Sequence, residues 1–89
     1  MRRTIVVDVV AGVVTVTQGF GGLATRRVVP LFHIREIVVS RARRGYEAHL
    51  QTRRGEPIRL DEAAHPARLL ALAEALAGLT AWRTIFSAA

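Results

Sequence analysis

Short β-branched runs fill the first two thirds of the chain, and a leucine rhythm of three and four residues takes over after them. Residues 4–10 (TIVVDVV) end at Ala11-Gly12 and read as a strand followed by a turn. Residues 13–17 (VVTVT) form a second strand, which runs into the glycine-rich loop 18–22 (QGFGG). Residues 24–29 make a third, stopped at Pro30, which has no N–H to give to a ladder. After a short irregular connection over 31–35, residues 36–42, 46–52 and 56–60 complete six predicted strands. Beyond them Leu69, Leu72, Ala73, Leu76 and Leu79 fall on one helical stripe. Pro66 suits a first helical turn, and Asp61 and Glu62 lie just upstream, where negative charge favours a helix start. Trp82 and Phe86 extend the same stripe. The pattern predicts strands over about 4–60 and one amphipathic helix over about 65–82.

Residues 43–55 (RRGYEAHLQTRRG) carry Arg-Arg-Gly at both ends of one strand. Read as three-residue hairpin loops, each with glycine at positive φ, the two triplets give consistent registers. Leu50 then lies opposite Ile58 and Val38, Ala48 opposite Leu60, and Tyr46 opposite Ala42. Val38, Ala42, Tyr46, Ala48, Leu50, Ile58 and Leu60 share an inward face, and Arg41 faces Glu47 on the other. The two turns sit roughly 25 Å apart, at about 3.3 Å per residue, so they do not grip one phosphate together.

At 89 residues, 51% of them apolar, the chain has the size and composition of a single globular domain. It lacks cysteine, so no disulfide framework or thiolate metal site is expected. No leader is expected either, because residues 4–10 are short and β-branched, and the helical stretch is too short to span a bilayer. A cytoplasmic chain is the expectation. The net charge is +6, and every basic residue apart from the histidines is arginine. Abundant arginine, alanine, glycine and valine fit a GC-rich genome, and the positive charge still favours acidic partners.

Few constellations suggest chemistry. The loop at 18–22 is followed by β-type sequence and lacks the Lys-Ser/Thr that closes a nucleotide loop, so a hairpin or bulged turn is the better reading. His33, His49 and His65 show no i, i+4 metal pairing. Asp8 is the odd carboxylate, set in an apolar run, and reads as either a functional acid or an edge charge. No catalytic residue, metal site or cofactor is expected. Two surfaces remain. Arg26 and Arg27 on the third strand, with Arg41, Arg43 and Arg44 ending the fourth, its expected antiparallel neighbour, make a candidate anion-binding face. The second is apolar: Ile37 and Val39 fall on the outer side of the fourth strand, the first strand is apolar on both faces, and Trp82, Ile85 and Phe86 add large groups in the tail.

Residues 28–39 (VVPLFHIREIVV), 48–60 (AHLQTRRGEPIRL) and the helical 67–79 together resemble the bacterial pleckstrin-homology-like domains. The resemblance implies an α+β, mainly β fold: a two-sheet antiparallel barrel or sandwich of six or seven strands capped by one C-terminal helix. Phosphoinositide binders of that family carry basic residues around the first hairpin loop. That turn is Ala11-Gly12 here, so no lipid-binding residue carries over. The sequence thus predicts a non-enzymatic module that self-associates or docks a protein, with an acidic partner (nucleic acid or anionic membrane) as the alternative.

Overall fold

The computed structural model describes residues 2–87, the side chains of Arg2 and Phe20 excepted. Its strands form two sheets and one helix follows the sixth strand, the mainly β, α+β architecture expected. Neither sheet closes into a barrel. The chain divides into two compact units after His33.

The first unit is a meander of β1 (Arg2–Asp8), β2 (Val13–Phe20) and β3 (Leu23–Pro30), in that spatial order, followed by a 3₁₀ turn over Leu31–His33. On one face Val14 lies between Val7 and Val29, and Val16 between Ile5 and Arg27. Val14, Val16 and Val29 are buried. The other face places Thr15 between Val6 and Val28, both half exposed.

Two boundaries differ from the sequence expectation. β1 stops at Asp8, because the Asp8 carboxylate accepts a hydrogen bond from the Ala11 N–H (2.9 Å) and its carbonyl accepts one from the Gly12 N–H (2.9 Å). The short side chain thus organises the turn, as aspartate often does, and the exposed carboxylate has a structural role at this position. Val9 and Val10 fall in the turn, with Val10 fully exposed. The residues expected as a loop at 18–22 are mostly strand: β2 continues to Phe20 opposite Leu23, leaving Gly21-Gly22 as a two-residue turn. Both glycines have positive φ (55° and 86°), the condition for the tight turn that matches strand twist.

The second unit comprises β4 (Ile34–Ala42), β5 (Gly45–Thr52), β6 (Ile58–Ala63), α1 (Pro66–Thr80) and β7 (Arg83–Ser87). The sheet order is β6-β5-β4-β7. α1 packs against all four strands. Its Leu69 and Ala73 are fully buried, as are Ile37, Val39, Ala48 and Leu50 on the strands, with Ile58 almost so. The pairing Leu50–Ile58 is as expected. The β5–β6 loop is longer than three residues, and it is braced by Thr52, whose buried hydroxyl meets the carbonyls of Gly55 (3.1 Å) and Glu56 (3.4 Å). A bulge beyond His49 sets Asp61, rather than Leu60, opposite Ala48.

The β4–β5 hairpin departs by one residue, with large consequences. Ala42 pairs with Gly45, so the turn is Arg43-Arg44 alone, and glycine is the first residue of the next strand. Leu50 therefore meets Ile37 instead of Val38, Arg41 meets Tyr46, and Ser40 meets Glu47. Because side chains alternate with period two, the slip exchanges the faces: Ile37 and Val39 are completely buried, while Val38 is on the opposite, half-buried face. Gly45 (φ 144°) is required by a close approach, since a Cβ there would lie 2.5 Å from the Ala63 carbonyl oxygen.

The tail is the other correction. α1 ends at Thr80, whose hydroxyl donates back to the Leu76 carbonyl (2.7 Å), and Ala81 takes the left-handed conformation (φ 65°). Trp82 is buried, and Arg83–Ser87 forms β7 parallel to β4, with Val38 opposite Ile85 and Val39 opposite Phe86. Thr84, Ile85 and Phe86 favour a strand, and β4 supplies an unpaired edge for it. The helix is thus followed by a strand, and one pair in an otherwise antiparallel fold is parallel.

Candidate interaction edge and arginine-lined concavity

The expected five-arginine face does not assemble as a strand pair. Among the described residues β3 pairs only with β2, where Arg26 lies opposite Thr17 and Arg27 opposite Val16. Arg41, Arg43 and Arg44 belong to the other sheet, at the β4–β5 turn. The expectation that β3 and β4 are neighbours fails because the chain changes sheet through Leu31–His33. All five arginines are exposed.

Of the five apolar candidates, Ile37, Val39 and Trp82 are core residues, by the register slip in the first two cases and by the helix end in the third. Ile85 and Phe86 lie on β7. Phe86 is 46% exposed and meets the Tyr46 ring edge to face, centroids 6.1 Å apart. Among the described residues β7 is an end strand, paired with β4 on one side only.

Next to the β4–β5 turn the second unit has a concavity of about 460 Å³. Arg43, Arg44, Tyr46 and Glu47 line it from the hairpin, and Glu62, Ala63 and Ala64 from the end of β6. The space exists because Ala42, Gly45, Ala63 and Ala64 carry almost no side chain. Its acids have cationic or ionisable neighbours: Glu62 accepts from Arg59 (2.8 Å), and Glu47 lies 3.8 Å from Nδ1 of His49. Arg43 and Arg44 have no ion pair among the described residues, nor does Arg41 beside them. The sequence shows the basic turn, but bringing Glu62, Ala63 and Ala64 beside it takes the β5–β6 pairing, in which Ala63 stands opposite Tyr46.

The histidines do not converge. His33 packs its ring against Phe32 (4.6 Å), His49 stands beside Glu47, and His65 is the helix N-cap without a side-chain hydrogen bond. Among the described residues no group of three or more His, Asp or Glu side chains is placed to hold a metal, and no helix is long and apolar enough to cross a membrane.

No family model matches the chain, and no curated protein or solved structure matches it at a significant level.

Proposed function

We propose that the chain is a non-enzymatic interaction module that associates with a second copy of itself through the edge of β7. The observation that carries this is the unguarded character of that edge. Open strands invite pairing, and proteins blunt them with charges, prolines or bulges. β3 has Arg26 and Arg27 at its centre, and β6 has a bulge together with Arg59, Asp61 and Glu62. β7 pairs with β4 in unbroken register and is uncharged from Thr84 to Ser87. β1 is also neutral from Thr4 to Val7, but it has no exposed aromatic.

An antiparallel pairing of two β7 strands about Ile85 sets Thr84 opposite Phe86 of the second copy and Arg83 opposite Ser87. No like charges meet, and a half-exposed phenyl ring is covered on each side. The two four-stranded sheets become one.

Sedimentation equilibrium at low and high salt tests the proposal. Edge pairing with an apolar component gives a dimer that persists at high salt, whereas association through exposed charges weakens steeply. A monomer at every concentration and salt level contradicts it.

A further inference from the structure

The arginine-lined concavity adjoins the β7 edge only through Tyr46, which lines it and meets Phe86, and its arginines call for their own explanation. Two adjacent arginines, Arg43 and Arg44, line one space and have no ion pair among the described residues, while the two acids of the same lining, Glu62 and Glu47, are beside Arg59 and His49. Long cations on a turn normally disperse into solvent. Here they share a lining with Ala42, Gly45, Ala63 and Ala64, and Gly45 and Ala63 approach so closely that a side chain at Gly45 would collide. Two planar forks offer more donors than one carboxylate accepts, and they match the three terminal oxygens of a phosphate monoester. The volume falls in the range of small-ligand sites, about 300–1,000 Å³. Tyr46, Glu47 and Glu62 line the same space, and residues of these types suit the hydroxyl-bearing carbon skeleton of such an ester.

We propose that the concavity at the β4–β5 turn binds a phosphate monoester, with its dianion held between Arg43 and Arg44. Glu47 and Glu62 stand where they accept hydrogen bonds from hydroxyls of the attached group. The ester is either a free metabolite or a lipid headgroup, since the chemistry at the arginines is the same.

Amide chemical shifts of the full chain, titrated with inorganic phosphate and with glycerol 3-phosphate, provide the test. The proposal predicts saturable shifts confined to Arg43, Arg44, Gly45, Ala63 and Ala64, with glycerol 3-phosphate binding more tightly than phosphate alone. The R43Q/R44Q double variant loses at least about tenfold in affinity, while R53Q/R54Q on the other Arg-Arg-Gly turn does not. Flotation with phosphatidic acid or phosphatidylcholine vesicles separates the sources. Binding to phosphatidic acid vesicles alone, lost in R43Q/R44Q, assigns the ester to a membrane surface and upholds the site. Shifts spread evenly over all exposed arginines, equal affinity in the two double variants, or no response to either soluble ligand or vesicle overturns it. Both positions are exposed turn residues, and an unchanged Leu50 methyl resonance verifies that each variant is folded.

Discussion

The rings of Tyr46 and Phe86 meet edge to face, with centroids 6.1 Å apart, and so join β5 to β7 across the intervening β4. Such a pair contributes about 0.5–1.5 kcal/mol beyond its buried area. A double-mutant cycle with Tyr46→Ala and Phe86→Ala, followed by urea denaturation at a concentration where the chain is monomeric, should return a coupling of that size. A coupling near zero would contradict the ring contact.

The β4–β5 register makes a sharp prediction about three successive residues. Ile37 and Val39 are fully buried and Val38 is on the opposite face, so truncation to alanine should be costly, mild and costly along the strand. Ile37→Ala is expected to lose about 2–5 kcal/mol, and Val38→Ala less than half the loss of either neighbour. Denaturant midpoints of the three variants read this directly, and the reverse order would restore the register with Val38 inward.

Gly45 and Gly12 both have positive φ, but only Gly45 is crowded. Gly12→Ala meets open space and should cost about 1–2 kcal/mol from conformation alone. Gly45→Ala adds a collision with the backbone of Ala63 and Ala64, which cannot turn aside as a flexible side chain would. It is expected to cost more than about 2 kcal/mol beyond Gly12→Ala. Thermal unfolding of the two variants checks the difference.

Asp8 serves the β1–β2 turn through its bond to the Ala11 amide. Asp8→Ala should destabilise by about 1 kcal/mol, and Asp8→Asn should retain most of that stability because the amide oxygen accepts the same bond. Hydrogen exchange at Ala11 should quicken in the first variant and stay slow in the second.

Much of this fold was legible from local pattern. The alternation in 46–52, the glycine at 55 and the apolar Ile58 were enough to pair Leu50 with Ile58, and the leucine stripe was enough to place α1. The two Arg-Arg-Gly triplets misled because they are spelled alike and act differently. Gly55 has its positive φ within a loop, whereas Gly45 is already in β5, where the backbone of Ala63 and Ala64 presses against it. That pressure comes from residues nearly twenty positions away, and nothing in 43–45 announces it. The resulting slip of one residue moved Ile37 and Val39 from a supposed surface into the core.

β7 was hidden for a different reason. Trp82 and Phe86 are four apart, so they fit a helical stripe as well as any pair in α1. Their separation from it depends on Ala81 adopting a left-handed conformation and on a free edge of β4, and both are tertiary facts. Of the candidate sites, the basic hairpin could be read from sequence alone. Its union with Arg26 and Arg27 rested on a neighbouring of β3 and β4 that the sheet order excludes.

The most direct measurement is amide hydrogen exchange along β7 as a function of protein concentration. Edge pairing between two copies predicts that protection rises with concentration at those amides of Thr84–Ser87 that point away from β4, while Arg26 and Arg27 on the guarded edge of β3 do not change. It also predicts that Phe86→Lys, which places a charge on the pairing strand, abolishes the rise. Protection at β7 that is independent of concentration, or unchanged by Phe86→Lys, would contradict the account.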